Sequence, residues 1–375
     1  MKNIVFPDYE NSLLNLMNSV LKNYKVNLGY PTLTDLDLEL EKDYRNVVVY
    51  LIDAMGSEIL NKHKNESKFL RKNKLRDITT VFPSTTVAAT TTATSGLPPI
   101  ASAWIGWNQY VKEVDKSIVF FLNQDYYDEN IKFDYNISQK FVKYTNIYDR
   151  IKSVNNDVNT FEIFPEFRIK EHKTIKDQVE SVIKATRNSG KNYIYAYWDK
   201  LDTYLHEYGT LDLKVKNHIK EIEDSLEYLA NNIDHDTLVI VTADHGQVDI
   251  EGINLWEYED IMGKLRHLPS VESRATAFYV KDGEEESFVE RFNYHFRDKY
   301  ILYKSEDLIE MKLFGPGEIN PKTKSFLGDY FAIAIDKYSF RFQNAGHVHK
   351  ATHAGLLRDE MMIPMILLNK KSQNS

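Results

Sequence analysis

The sequence predicts an α/β fold in which a doubly wound, mostly parallel sheet carries helices on both faces. Three observations lead there. Continuous apolar runs rich in β-branched and aromatic residues stand at 46–52 (NVVVYLI), 192–198 (NYIYAYW) and 237–242 (TLVIVT), the pattern of strands buried on both faces. Helical periodicity fills much of the space between them. Acidic residues follow the strand ends, where ligands collect in open sheets of this kind.

In chain order, 11–24 (SLLNLMNSVLKNYK) has apolar residues at helical spacing and predicts an amphipathic helix. The strand 46–52 ends at Asp53, with a helix to follow. A short strand is expected near 77–82, then a helix over about 86–95. The many Thr residues there lower helix propensity, so packing or function must favour it. Another strand is expected at 117–122 (SIVFFL), a helix at 174–188, the strand 192–198, a long amphipathic helix at 212–232 and the strand 237–242. A smaller α+β stretch follows, with strands at 275–280 and 329–335 around a helix at 284–297. The last strand is 363–368 (IPMILL). Neither an internal repeat nor a low-complexity linker breaks the chain. The expected organisation is one unit over 1–375 with a smaller α+β insertion at approximately 267–342.

The formal net charge of −8 argues against a surface that coats nucleic acid. It leaves room for a small anionic substrate, because bound metal ions reverse the local field. The chain has no cysteine, which removes disulfides, Cys-ligated zinc and a Cys nucleophile together. The N-terminus MKNIVFPDYENSLL lacks a signal-peptide pattern, and no segment reaches the roughly 20 apolar residues of a membrane span. A cytoplasmic protein without membrane attachment is expected.

Four scattered segments carry chemistry: Asp53 after the first strand, Asp202 and His206 in DTYLH, Asp244 and His245 in VTADHG, and His353 in ATHAG. Each has a plain alternative. Asp53 suits a helix cap. Asp202 and His206, four apart, share one helix face that solvent can cover as readily as a metal ion. Asp244 and His245 suit a turn, which Gly246 permits as a tight or left-handed one. His353, with His347 and His349 nearby, suits a surface loop. Together they supply three acids and three imidazoles, a mixed N/O ligand set for two ions that suits zinc and is open to manganese. Two ions roughly 4 Å apart would clamp the attacking and leaving oxygens of an in-line displacement. The stretch FPSTTVAATTTATSGL offers hydroxyls, Thr85 and Thr86 first, at a helix start where N–H groups and the dipole favour phosphate. Backbone bonding is the plain role for them.

With these residues in order, the chain resembles the alkaline phosphatase superfamily, and within it the type I phosphodiesterase/nucleotide pyrophosphatase branch. The resemblance implies an alkaline-phosphatase-like fold. It assigns one zinc to Asp202, His206 and His353, and the other to Asp53, Thr86, Asp244 and His245. The family's nucleophile motif, Pro-x-x-Thr with a Gly ten residues on, fits Pro83, Thr86 and Gly96 and selects Thr86 over Thr85. The implied reaction is attack by Thr86 on phosphorus, a covalent phosphothreonine, and its hydrolysis, with one zinc activating Thr86 and the other stabilising the leaving oxygen. The implied substrate is a small phosphate diester or pyrophosphate.

The sequence departs from the family in two places. Ala89 stands where an Asn that helps hold a phosphoryl oxygen is usual. The following aromatic segment, ASAWIGWNQY, also differs. Trp107 and Asn108, with Trp104 and Tyr110, are candidates to line a substrate pocket or to pack. Arg274 and His267 are candidates to meet a phosphate or leaving group, or to lie at a solvated surface. The departures keep a phosphomonoesterase or phosphonate hydrolase as the alternative on the same site. A phosphomutase would ordinarily use Ser and manganese. A sulfatase would need a Cys or a Ser such as Ser84, and a metal-binding relative without activity is the non-enzymatic alternative.

Overall fold

The computed structural model describes residues 3–342 and 348–370. Its first sheet has six strands, from edge to edge Lys74–Thr79, Met362–Leu368, Thr237–Thr242, Asn46–Ile52, Asn192–Trp198 and Asn159–Ile163. The last four pair in parallel. Met362–Leu368 runs antiparallel to both its neighbours, so the final strand is an antiparallel addition to a parallel core. The three central strands are buried at every position, as their unbroken apolar character requires. Fully burying one Val, Leu or Ile side chain contributes about 1.5–3 kcal/mol.

Two helix groups accompany the sheet. Ile175–Thr186 packs on Leu213–Asn232, and Leu13–Asn23 packs on Thr86–Ser95. Val179, Ile219, Leu16 and Ala88, one from each helix, belong to a single apolar cluster with the strands. Asn46–Ile52 lies between Thr237–Thr242 and Asn192–Trp198, all three parallel. Their carboxyl ends therefore open side by side, and Asp53, Asp202 and Asp244 follow those ends.

A second, antiparallel sheet of seven strands runs in the order Tyr300–Lys304, Tyr330–Ala334, Ala275–Val280, Leu265–Val271, Asn108–Val111, Lys116–Val119, Gln124–Asp125. The 267–342 stretch thus shares its sheet with 108–125, and the strand expected at 117–122 is observed here as Lys116–Val119, with a turn over 120–122. One face buries Phe82, Ile105, Ile118 and Phe331. Another cluster holds the phenylalanine stripe Phe288, Phe292 and Phe296, which the helix Glu285–Phe296 presents at four-residue spacing. No helix among the described residues is long and apolar enough to cross a membrane.

Candidate metal centre

The strand ends bring the acids together. Asp53 is 3% exposed and Asp244 fully buried. Asp244 Oδ1 accepts from the backbone N–H groups of Ala54 at 3.0 Å and His245 at 2.9 Å. Asp53 Oδ2 accepts from the Tyr197 hydroxyl. That leaves Asp53 Oδ1 and Asp244 Oδ2 buried with no hydrogen-bond partner. His245 Nε2 stands 3.5 Å from the first and 3.7 Å from the second. Buried polar atoms are seldom left unpaired, and two carboxylate oxygens converging on an imidazole nitrogen are the donor set of a cation site. Burial, followed by the Asp244 and Asp202 carboxylates, raises the Asp53 carboxyl well above the usual range, an electrostatic penalty that a divalent ion would relieve.

The second cluster is Asp202, His206 and His353. Asp202 and His206 lie on one helix, Lys200–Tyr208, which places His206 Nε2 3.3 Å from Asp202 Oδ2. His353 Nε2 lies 3.9 Å from Asp202 Oδ1. Burial opposes ionisation of Asp202, but His206, His353 and His245 outweigh it and hold its carboxyl well below the usual range. Burial and the neighbouring His245 push the His353 imidazole well below its ordinary value, toward the neutral form that binds metals.

All three histidines point the same way chemically. Their Nδ1 atoms face backbone carbonyls: His206 that of Ala351 at 2.8 Å, His245 that of Gly246 at 3.0 Å, and His353 that of Ser84 at 3.1 Å. A carbonyl only accepts, so Nδ1 carries a proton, and Nε2, once deprotonated, is the atom that offers a lone pair to the centre. Within each triad, Asp202–His206–His353 and Asp53–Asp244–His245, the ligand atoms lie within 4.8 Å of one another. The His245 and His353 rings stack at 3.8 Å, so the two triads adjoin. The residues present fit two divalent ions.

Thr86 opens the helix Thr86–Ser95. Its Oγ1 lies 3.1 Å from His245 Nε2. Thr85 occupies the capping position but makes no side-chain cap; its hydroxyl instead donates to Glu272 Oε1 at 2.6 Å. The same oxygen accepts from the Trp107 N–H at 2.7 Å. Thr86, Trp107, Asn108, Asp202, His206 and Glu272 share a cavity of about 540 Å³. Asn108 is buried, and its Oδ1 has no hydrogen-bond partner.

Glu272 has no counterpart in the sequence reading, since nothing around VESR marks it. Burial raises its carboxyl to about 7, against the bonds from Thr85 and Trp107. A carboxyl raised on folding contributes most below its unfolded value, and stability falls as pH rises toward the folded one. Between pH ~4.5 and ~7, metal-free protein should lose roughly 1–2 kcal/mol through this group, after allowance for solvent in the cavity. Glu272→Gln should remove that slope. Denaturant melts of both proteins across this range test it, and parallel pH profiles would refute the assignment.

The residues 47–355 match the family model for type I phosphodiesterase/nucleotide pyrophosphatase. The chain belongs to that family. With it come membership of the alkaline phosphatase superfamily and the activity class, hydrolysis of phosphate esters of phosphodiesterase/pyrophosphatase type, in a group of metal-dependent enzymes. Among solved structures, murine ectonucleotide pyrophosphatase/phosphodiesterase 5 is similar at TM-score 0.65 and 17% identity, over 85% of this chain and 87% of that one. An inactive threonine-to-alanine form of the murine protein, in complex with AMP, matches at TM-score 0.64 and 18% identity, over 85% and 86%. Phosphonoacetate hydrolase from Sinorhizobium meliloti 1021, in complex with phosphonoformate, matches at TM-score 0.63 and 14% identity, over 87% and 91%. At these identities the likenesses carry the fold. No curated protein sequence matches the chain.

Several candidates of this phosphodiesterase-family chain find other places. Arg274 is fully buried; its guanidinium donates to both carboxylate oxygens of Glu360 at 2.7 Å and to the carbonyls of Asp336 and Tyr338. It is not a solvated surface residue, and it lies outside the cavity lining with four of its five N–H donors engaged inside the fold. His267 stacks on Tyr110 at 4.1 Å, and the Trp104 indole donates to the Val142 carbonyl. His349 lies 4.4 Å from the His206 ring, and His347 falls outside the described residues. Ala89 is fully buried in the apolar cluster of the parallel sheet, so its side chain packs and does not face the cavity. Gly246 serves close approach: a Cβ there would meet the Asp359 carbonyl oxygen at 2.0 Å.

Proposed function

We propose that the protein is a two-metal hydrolase of phosphate diesters or pyrophosphates that acts through a covalent phosphothreonine on Thr86. The observation that carries this is the Thr86 hydroxyl beside His245 Nε2, at a helix start and next to two adjoining triads of candidate ligands. Asp202, His206 and His353 would hold one ion; Asp53, Asp244 and His245, with Thr86, would hold the other. Bound ions would supply charge that lowers the Thr86 hydroxyl pKa and offsets charge on the leaving oxygen. The mixed N/O donors suit zinc first and manganese second.

Thr86 Oγ1 attacks phosphorus, the ester or phosphoanhydride oxygen departs, and water then cleaves the phosphothreonine to restore the hydroxyl. Asn108, with its unpartnered amide oxygen, and Trp107, at the cavity mouth, are the proposed substrate contacts. Murine ectonucleotide pyrophosphatase/phosphodiesterase 5, inactive with alanine for a threonine and in complex with AMP, supports a nucleotide-sized ester. The likeness to phosphonoacetate hydrolase favours phosphonate cleavage as the second reading.

The expected result is metal-dependent hydrolysis of bis-p-nitrophenyl phosphate by protein that contains two zinc ions per chain by elemental analysis. A chelator should abolish it, and added zinc should restore it. Chelator-insensitive turnover would sink the mechanism. Faster release of phosphate from phosphonoacetate than of nitrophenol from the diester would establish the second reading.

A further inference from the structure

Val271 has φ +80°, a conformation that β-branched residues avoid. Such outliers persist where surrounding structure enforces them and cluster at functional sites. The enforcement is visible. Leu265–Val271 pairs with Ala275–Val280 through two register shifts. Gly106 lies so close that a Cβ on it would meet Val271 Cγ1 at 2.5 Å and the Val271 carbonyl oxygen at 2.9 Å. The strained residue delivers the next one, Glu272, to the loop that carries the nucleophile. There its Oε1 is held from two sides, by the Thr85 hydroxyl and the Trp107 N–H. Its side chain lines the same cavity as Thr86. The cavity it enters is also lined by Asp202 and His206.

We propose that Glu272 is a specificity-determining residue whose carboxylate disfavours substrates carrying two charges on the phosphorus under attack. The inference rests on the hydrolase reading above. Two divalent ions against the carboxylates of Asp53, Asp202 and Asp244 leave one formal positive charge, and Glu272 cancels it. A diester, or the inner phosphorus of a pyrophosphate, brings one negative charge. A terminal monoester brings two, and like charges in a partly desolvated cavity repel strongly. Glu272 thereby directs the site toward diesters and pyrophosphates, on a chain whose Ala89 does not make that choice.

Glu272→Gln keeps an acceptor for Thr85 and Trp107 and removes only the charge. Binding is read first, on the full-length, zinc-loaded Thr86→Ala protein with and without Glu272→Gln. At about pH 8.5 phenyl phosphate is a dianion and diphenyl phosphate a monoanion. Calorimetry should show Glu272→Gln tightening phenyl phosphate by about tenfold and changing diphenyl phosphate by less than about twofold. In the Thr86 background, the ratio of kcat/KM for p-nitrophenyl phosphate to that for bis-p-nitrophenyl phosphate should rise by a similar factor. Equal changes for both ligands would mark a structural role and overturn the proposal, as would no change, or no binding of either ester to either protein. Absence of wild-type turnover would count against the hydrolase reading, while the binding comparison would still decide the role of Glu272.

Discussion

Replacing Thr86 by alanine should lower kcat on bis-p-nitrophenyl phosphate by about a thousandfold or more, the scale on which loss of a covalent nucleophile is felt. The hydroxyl is the one group at the helix start that lies beside both His245 Nε2 and the cavity. Without it, only direct attack by water remains. Asp53, Asp244 and His245 still supply three side-chain donors, so bound zinc should stay near two per chain and the variant should fold. That separates a lost nucleophile from a lost ion. Thr86→Ser should keep measurable turnover, because it restores an oxygen at the same atom position. Acid quench during turnover, followed by mass analysis of the Thr86 peptide, should find a phosphoryl adduct in wild type and none in the alanine variant. Turnover within about tenfold of wild type in Thr86→Ala would eliminate the phosphothreonine.

The parallel strands were legible because burial on both faces leaves a continuous apolar run, and 46–52, 192–198 and 237–242 match the observed strands residue for residue. Asp53 and Asp244 were legible as acids just past those strand ends, and Asp202 with His206 as a pair at the spacing of one helix face. The second sheet was less legible. Asn108–Val111 and Leu265–Val271 meet at a single register pair, Val271 with Asn108, across some 160 residues of chain, and polar side chains break their apolar pattern. Glu272 was invisible for a related reason. What makes it a site residue is a left-handed backbone angle at Val271 that valine does not advertise. The burial of Arg274 was not legible because its partner, Glu360, lies 86 positions away, and a charged residue in sequence carries no mark of whether its counter-charge is water or a buried carboxylate.

That buried pair gives the second large expected effect. Arg274→Ala should destabilise the fold by about 3–5 kcal/mol, since it leaves Glu360 charged and uncompensated in the interior. Glu360→Ala should cost a similar amount, leaving the guanidinium unpaired. The pair also fastens the segment that carries His353. Glu360 Oε1 accepts from the Gly355 N–H at 2.7 Å and Oε2 from the Leu357 N–H at 3.2 Å. A Cβ on Gly355 would meet Arg274 Nη2 and Glu360 Oε2 at 2.9 Å each, so the loop is seated directly on the ion pair. Either variant should therefore weaken zinc at Asp202, His206 and His353 more than at Asp53, Asp244 and His245. Urea denaturation of the two single variants and of Arg274→Met/Glu360→Leu, with competitive zinc titration of each, separates the two contributions. The double variant removes both charges and fills the space, so it should recover much of the lost stability. It cannot restore the bonds to Gly355 and Leu357, so its weaker zinc affinity should persist. Single variants costing under about 1 kcal/mol would mean that water reaches the pair, and the loop would then owe its position to packing around Ala354 and Leu356 instead.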